Sequence, residues 1–251
     1  QEIERYARHI MLREVGGPGQ QRLKRATVAL VGVGGLGAPA ALYLAAAGVG
    51  ALRLIDDDQV SLSNLQRQIL FTTKGIGQGK TETAAAALTA LNPHVIVDQR
   101  ATRLTPETAQ TLLQGADLVL DGSDSFSTRF AVNAACHALG IPLVSGAVGR
   151  WDGQLGLFAS GLTKAKPAAE RLPCYRCFVP EEPPEAETCA AVGVIGALPG
   201  VIGAAMALEA VKHLTRAGQT LAGRLWLFDG LNLESRTVVL PRDPACPVCG
   251  D

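Results

Sequence analysis

Neither sign of charge is in excess in this chain: 23 Lys and Arg balance 23 Asp and Glu over 251 residues, with an isoelectric point near 7.1. Without a basic surplus there is no electrostatic reason to look for nucleic acid. Any anion must instead be met locally, by a few placed cations and backbone N–H groups. No charged segment followed by an apolar core opens the sequence, so no secretory signal is read and a cytoplasmic protein is expected. Long uninterrupted apolar runs are scarce too. Residues 190–208 carry no charge, but Gly193, Gly196, Pro199, Gly200 and Gly203 break the stretch. A spanning helix wants about 20 predominantly apolar residues, so no membrane span is expected. Internal repeats, low-complexity tracts and a clean linker are all missing, which favours one domain over residues 1–251. With 47% hydrophobic and 18% charged residues, the composition is that of a folded globule rather than a disordered chain.

What is present alternates strand and helix. Residues 1–25 read as an N-terminal helical arm with a Gly-Gly-Pro-Gly turn at 16–19. Apolar runs at 26–31, 51–55, 95–97, 117–120 and 142–145 read as buried strands. Helical stretches at 38–47, 81–91 and 129–139 separate them, and Gly48 suits a helix C-terminus. Such alternation implies a doubly wound, Rossmann-like α/β fold with a mainly parallel sheet. Further strands at 154–159, 225–228 and 237–240, split by turns and by a helical candidate ending near Leu214, extend that sheet in a mixed direction.

Residues 32–37, Gly-Val-Gly-Gly-Leu-Gly, follow the first strand and open a helix. Gly34 and Gly35 permit close backbone approach, so that helix N–H groups face a phosphate. Asp56, ending the second strand, is placed to hydrogen-bond a ribose. The fingerprint alone suits NAD as well as ATP. Arg67, Lys80 and Asp124 also belong to loops at the carboxyl ends of strands, where ligands of open α/β sheets bind. Singly they are ordinary surface charges or, for Asp124, a helix cap. Together they suit a triphosphate, which needs cations and Mg²⁺ held by a carboxylate. An NAD-dependent oxidoreductase on the same fold is the alternative, and it leaves these three residues unexplained.

The run Asp56-x-Asp58-x-Val60-x-x-Ser63-Asn64-Leu65-Gln66-Arg67-Gln68, between the glycine loop and Lys80, closely resembles the E1-like activating enzymes. Among these it is similar to the bacterial adenylyltransferases that act on sulfur-carrier proteins of molybdopterin and thiamine synthesis. The resemblance implies ATP-dependent adenylation of the C-terminal glycine of a small ubiquitin-like sulfur carrier ending in Gly-Gly. It implies that Asp56 holds the ribose and that Ser63, Asn64, Arg67 and Lys80 line the phosphate side. Asp124, beside Ser125, would hold Mg²⁺. Arg8 would reach the triphosphate of the neighbouring subunit in a homodimer. Gly146 and Gly149 would let the carrier's glycine tail approach. Ending at Asp251, the chain is expected to take its sulfur donor in trans.

Six cysteines include two C-x-x-C pairs, Cys174/Cys177 and Cys246/Cys249. Two such knuckles, at 174–177 and 246–249, supply a closed tetrahedral Cys₄ shell for structural Zn²⁺, and the family resemblance includes both pairs. Two disulfides would need an oxidising compartment. Cys136 sits in an apolar helical stretch and reads as a core thiol. Cys189 matches the cysteine that in some E1-like enzymes bonds covalently to the carrier. No basic residue stands beside it to stabilise a thiolate, so a non-covalent route is expected.

Overall fold

The computed structural model describes residues 1–182 and 193–251. Its spine is one eight-stranded sheet in the order β3-β2-β1-β4-β5-β6-β7-β8, with β1 Thr27–Val31, β2 Ala51–Ile55, β3 Ile96–Arg100, β4 Leu118–Asp121, β5 Leu143–Gly149, β6 Asp152–Phe158, β7 Arg224–Asp229 and β8 Glu234–Val239. β3 through β5 run parallel, and β6, β7 and β8 add on antiparallel. The expected architecture is therefore present, including the mixed extension.

Alternation along the central strands explains why they read as unbroken apolar runs. Val28 and Leu30 of β1, Leu52 and Leu54 of β2, and Leu118 and Leu120 of β4 face one core; Ala29, Val31 and Val119 face the other. A strand buried on both sides has no polar face to show. The first core is roofed by α3 (Gly16–Arg25), α4 (Gly37–Ala47), α5 (Lys80–Leu91) and α10 (Ala197–Thr215). The second lies under α6 (Ala109–Leu113) and α7 (Phe126–Leu139). Among the described residues four short helices complete the numbering: α1 (Glu2–Arg5), α2 (Ala7–Ile10), α8 (Ser160–Thr163) and α9 (Tyr175–Phe178).

Several boundaries differ from the sequence expectation, among them the start of α7 at Phe126 rather than 129 and β8 at Glu234–Val239 rather than 237–240; three others have a visible cause. Residues 16–19 are not a turn but the first turn of α3; Gly16 takes φ +56° and Pro18 sits where no intrahelical N–H is required. β3 covers Ile96–Arg100 rather than 95–97, because Asp98 accepts from Arg53 on the neighbouring β2 at 2.9 Å and pairs with Arg100. β5 continues past Ser145 to Gly149, since β6 pairs with it in register as far as Gly149 opposite Asp152.

α10 has the length and apolar composition to cross a membrane, yet it packs as a core helix. Its Leu198, Ile202, Met206 and Ala210 are buried, and Gly203 lets it meet α4: a Cβ there would stand 2.5 Å from the Leu36 carbonyl oxygen and Pro39. Two strand glycines serve the same helix. A Cβ on Gly146 would lie 2.6 Å from Met206 Sδ, and one on Gly153 2.4 Å from Ile202 Cδ1. Gly146 thus makes room for α10.

Candidate functional site

The sheet winds outward from β1 in one direction and from β4 in the other, so a crevice opens beyond the carboxyl ends of these two strands. The glycine loop fills its floor. Gly32 takes φ +82°, and a Cβ there would press within 3.3 Å of Gly122 after β4. One on Gly37 would collide with the Gly32 carbonyl oxygen at 2.0 Å. Only glycine permits this tight return into α4, where Ala38 N donates to the Gly34 carbonyl at 2.9 Å and Ala40 N to the Leu36 carbonyl at 3.3 Å. At Gly35 the nearest atoms belong to Pro199 (3.2 Å) and Arg67 Cγ (3.7 Å), so the stem of Arg67 lies beside the loop.

Asp56 ends β2 and braces that loop. Its Oδ2 accepts from Val33 N at 2.7 Å and its Oδ1 from Asp58 N at 2.9 Å. Burial raises its pKa above the ordinary carboxylate value, while the Lys80 charge opposes the shift. Lys80 is the first residue of α5. An isolated bridge between Gln59 and Gly79 brings the start of that helix back beside the end of β2. The Lys80 side chain is 6% exposed, and Nζ donates to Asp58 Oδ2 at 2.8 Å. Asp58, 60% exposed, is the partner that the sequence reading passed over, although it stands inside the quoted motif.

The segment between them carries the remaining phosphate-side residues. Ser61 and Asn64 form a reciprocal cap around a 3₁₀ turn, with Asn64 Oδ1 accepting from Ser61 N at 3.2 Å. Ser63 Oγ lies 3.0 Å from Ser61 Oγ, and the Ser63 carbonyl accepts from Arg67 Nη1 at 3.0 Å. Opposite, the loop after β4 is shaped by buried Asp121, whose Oδ1 accepts from Ser123 N (2.9 Å) and Ser123 Oγ (2.6 Å). Arg129 Nη2 donates to the Ser123 carbonyl from α7. Asp124 is left exposed beside Ser125, which caps α7 by accepting from Thr128 N at 3.2 Å. Neither Asp121 nor Arg129 was foreseen; an acid three residues before Asp124 was the available signal. The oxygens of Asp56, Asp57 and Asp58 also cluster within 4.8 Å, but Arg103 and Lys80 already pair with Asp57 and Asp58.

Arg8 stands apart from this group. Its helix α2 adjoins Tyr6, whose ring covers Gly48 at the far end of α4 and whose hydroxyl accepts from Asn92 at 2.8 Å. α4 has 11 residues, so Arg8 lies about a helix length, ~16 Å, from its own glycine loop. Gly149 fares differently from Gly146: no atom lies within 4 Å of a Cβ there, and it lines a cavity of about 650 Å³ over β5 to β8, with Gln154, Phe228 and Arg236. Cys189 lies outside the described residues.

The four paired cysteines converge. Their sulfurs all lie within 4.8 Å of one another, Cys174 to Cys246 at 3.5 Å and Cys177 to Cys249 at 3.3 Å. These separations are too long for disulfides and near the ~3.8 Å of thiolates at about 2.3 Å from a tetrahedral ion. Asn133 Nδ2 donates to Cys174 Sγ (3.6 Å) and Asp243 N to Cys177 Sγ (3.4 Å), the outer contacts that orient metal ligands. Hydrogen bonds from Cys174 and then Cys249 pull the Cys177 thiol down toward the thiolate. The cluster can hold a metal ion. Cys136 is buried, and burial, with Asp121 nearby, pushes its thiol up, as befits an inert core residue.

Comparison with known proteins agrees with this geometry. The chain is 47% identical to the sulfur carrier protein adenylyltransferase of Thermus thermophilus, across 100% of this chain and 92% of that protein. It is 44% identical to the sulfur carrier protein ThiS adenylyltransferase of Escherichia coli (98% and 94%) and 43% identical to the molybdopterin-synthase adenylyltransferase of Salmonella typhimurium (100% and 97%). In fold it is similar to the crystal structure of E. coli MccB with MccA-N7isoASN, at a TM-score of 0.84 and 23% identity, covering 100% of this chain and 75% of that one. None of these relatives supports an oxidoreductase. The ThiF family model matches residues 6–248, and with relatives this similar along nearly its whole length, the chain belongs to the ThiF family of E1-like adenylyltransferases.

Proposed function

We propose that this protein uses ATP to adenylate the C-terminal glycine of a small ubiquitin-like sulfur carrier, releasing pyrophosphate. One observation carries the reading. In a chain without surplus positive charge, a nearly buried ammonium, Lys80, sits at the strand ends beside Asp56 and the glycine loop. The names of the relatives supply the carrier class, and the carrier accepted decides between molybdopterin and thiamine synthesis.

The carrier carboxylate is ionised at pH 7 and needs no general base. Its oxygen attacks the α-phosphorus as pyrophosphate departs, so negative charge gathers on phosphate oxygens. Lys80 and Arg67 neutralise it in place, and Asn64 adds a neutral donor from its amide, whose oxygen is already engaged with Ser61 N. Asp56 receives the ribose hydroxyls. Asp124, with Ser125 beside it, is the carboxylate that would hold Mg²⁺, and the ion would supply further charge neutralisation on the phosphates. The Cys₄ cluster takes Zn²⁺ in a structural role. Too far from its own loop, Arg8 is assigned to the site of a second subunit in a homodimer. α4 and α10 leave Tyr43, Val201 and Leu208 exposed, apolar surface of the kind subunits cover.

Carrier-dependent ATP–pyrophosphate exchange tests the reading. Exchange should appear with at least one Gly-Gly carrier, remain in Cys189→Ala because adenylation needs no thiol, and ignore NAD. A protein that exchanges with no such carrier, or binds NAD in place of ATP, would sink it.

A further inference from the structure

The N-terminal arm is held on both sides of Arg8. Two residues before it, Tyr6 is buried, and its ring lies over Gly48, where a Cβ would come within 2.5 Å of it. Its hydroxyl accepts from Asn92 Nδ2 at 2.8 Å, and the fully buried Asn92 donates also to the Ala45 carbonyl at 2.6 Å. One residue after Arg8, His9 Nδ1 lies 3.3 Å from Gln20 Oε1. An amide oxygen only accepts, so His9 is the donor, while Gln20 Nε2 donates to the Ala47 carbonyl at 2.8 Å. Asn92 and Gln20 thus cap the last turn of α4 by themselves. Capping does not account for the further bonds that tie Tyr6 and His9 to them. Between these anchors the Arg8 side chain is exposed and, among the described residues, makes no hydrogen bond or ion pair.

We infer that Tyr6 and His9 are positioning residues, which fix the backbone around Arg8 so that its guanidinium is held ready for the triphosphate of a second subunit. A terminal arm without such ties frays, and a cation on a frayed arm must be ordered afresh each time a nucleotide is met. Anchors at 6 and 9 leave only the Arg8 side chain to be ordered. Precision of this kind matters to rate, because a displacement of about 1 Å in a positioning group can slow a reaction a hundredfold. Both anchors sit on the C-terminal end of α4, whose other end opens at the glycine loop. The arm is therefore referred to the same helix as the nucleotide crevice, at a helix length from it. The inference rests on the assignment of Arg8 to a neighbouring site and names what fixes it there.

Hybrid dimers separate positioning from general stability. When Arg8→Ala and Lys80→Ala chains pair, one complete site takes its arginine from the Lys80→Ala chain and its lysine from the Arg8→Ala chain. ATP–pyrophosphate exchange is measured with the Gly-Gly carrier on which the wild type acts. Tyr6→Leu added to the Lys80→Ala chain should lower exchange about tenfold. Added to the Arg8→Ala chain, it should leave exchange within twofold, since that arm presents no guanidinium. His9→Ala should show the same asymmetry. A loss equal for both placements marks general destabilisation and overturns the inference; exchange within twofold for both placements overturns it as well. Should Tyr6→Leu fail to fold, Tyr6→Phe keeps the ring and deletes only the bond to Asn92. It should give about a threefold loss with the same dependence on placement, and a loss indifferent to placement refutes the positioning role. A parent hybrid that regains no exchange refutes the assignment of Arg8 across subunits, and the inference with it. Wild-type dimers that show no exchange refute adenylation itself.

Discussion

Replacing Lys80 by methionine removes one charge from the centre of the site and little else. The ammonium faces Asp58 at 2.8 Å and offsets the burial that raises the Asp56 pKa. Asp58 is 60% exposed, so water takes over its solvation, and the pair itself is worth less than about 1 kcal/mol. The methionine stem fills the nearly buried slot, so the melting temperature should move by no more than a few degrees. The reaction should suffer far more. A preorganised donor at developing charge is typically worth about 3 kcal/mol, so exchange should drop by roughly a hundredfold or more. Without Lys80 the phosphates also face three acids with one fewer cation to offset them. Asp56 would then hold its proton to still higher pH, because the influence that lowers its pKa is gone, and residual activity should shift toward alkaline pH. Pyrophosphate exchange across pH, beside a thermal melt, measures both effects. Exchange within threefold of wild type would refute the role given to Lys80, and a collapse of the melt would refute the claim that its stability contribution is small.

Asp124→Asn should reduce exchange by roughly a hundredfold at low Mg²⁺, with partial recovery at high Mg²⁺; full activity at low Mg²⁺ would leave Asp124 no role beyond its loop. Arg8→Ala and Lys80→Ala subunits, each inactive alone, should regain activity when mixed, since one site of the hybrid receives both side chains; hybrids as inactive as their parents would mean that Arg8 does not act across subunits. Elemental analysis should find one zinc per chain. Its removal by a chelator should lower the melting temperature by roughly 10 °C, the scale expected when a cross-link closing a long loop is lost, and an unchanged melt would argue against a structural metal.

The parts of the molecule legible in the sequence are those whose causes are local. β1 and β4 announce themselves because burial on both faces leaves an unbroken apolar run, and the glycine loop because three successive constraints fall within six residues. The cysteine pairs are legible from spacing, though 72 residues separate the partners. What escaped depends on distant neighbours. The true extent of β3 follows from Arg53 on the next strand, and Gly146 answers to Met206, sixty residues later. Asp58 could be recognised as the partner of Lys80 only once the Gln59–Gly79 bridge folded α5 back onto the end of β2. The helix beginning at Gly16 was hidden by its own glycines and proline, which speak for a turn unless α3 has a core to cover.

The cysteine cluster also orders events during synthesis. Every residue assigned to the nucleotide, from Arg8 to Ser125, precedes all four clustered cysteines, of which Cys249 is the last. Metal capture by all four thiolates must therefore wait until Cys249 has been made, after all the phosphate-side residues. Tying Cys174 to Cys246 closes a loop of more than seventy residues, a restriction worth on the order of 4 kcal/mol against the unfolded chain if a metal clip acts as a disulfide does. A nascent chain interrupted before Cys246 would carry the complete set of phosphate-side residues and none of that late restraint. A bound ion would thus report that the segment from Cys174 to Cys249 has been made, and a copy stopped short of Cys246 would be left as the easier target for a protease.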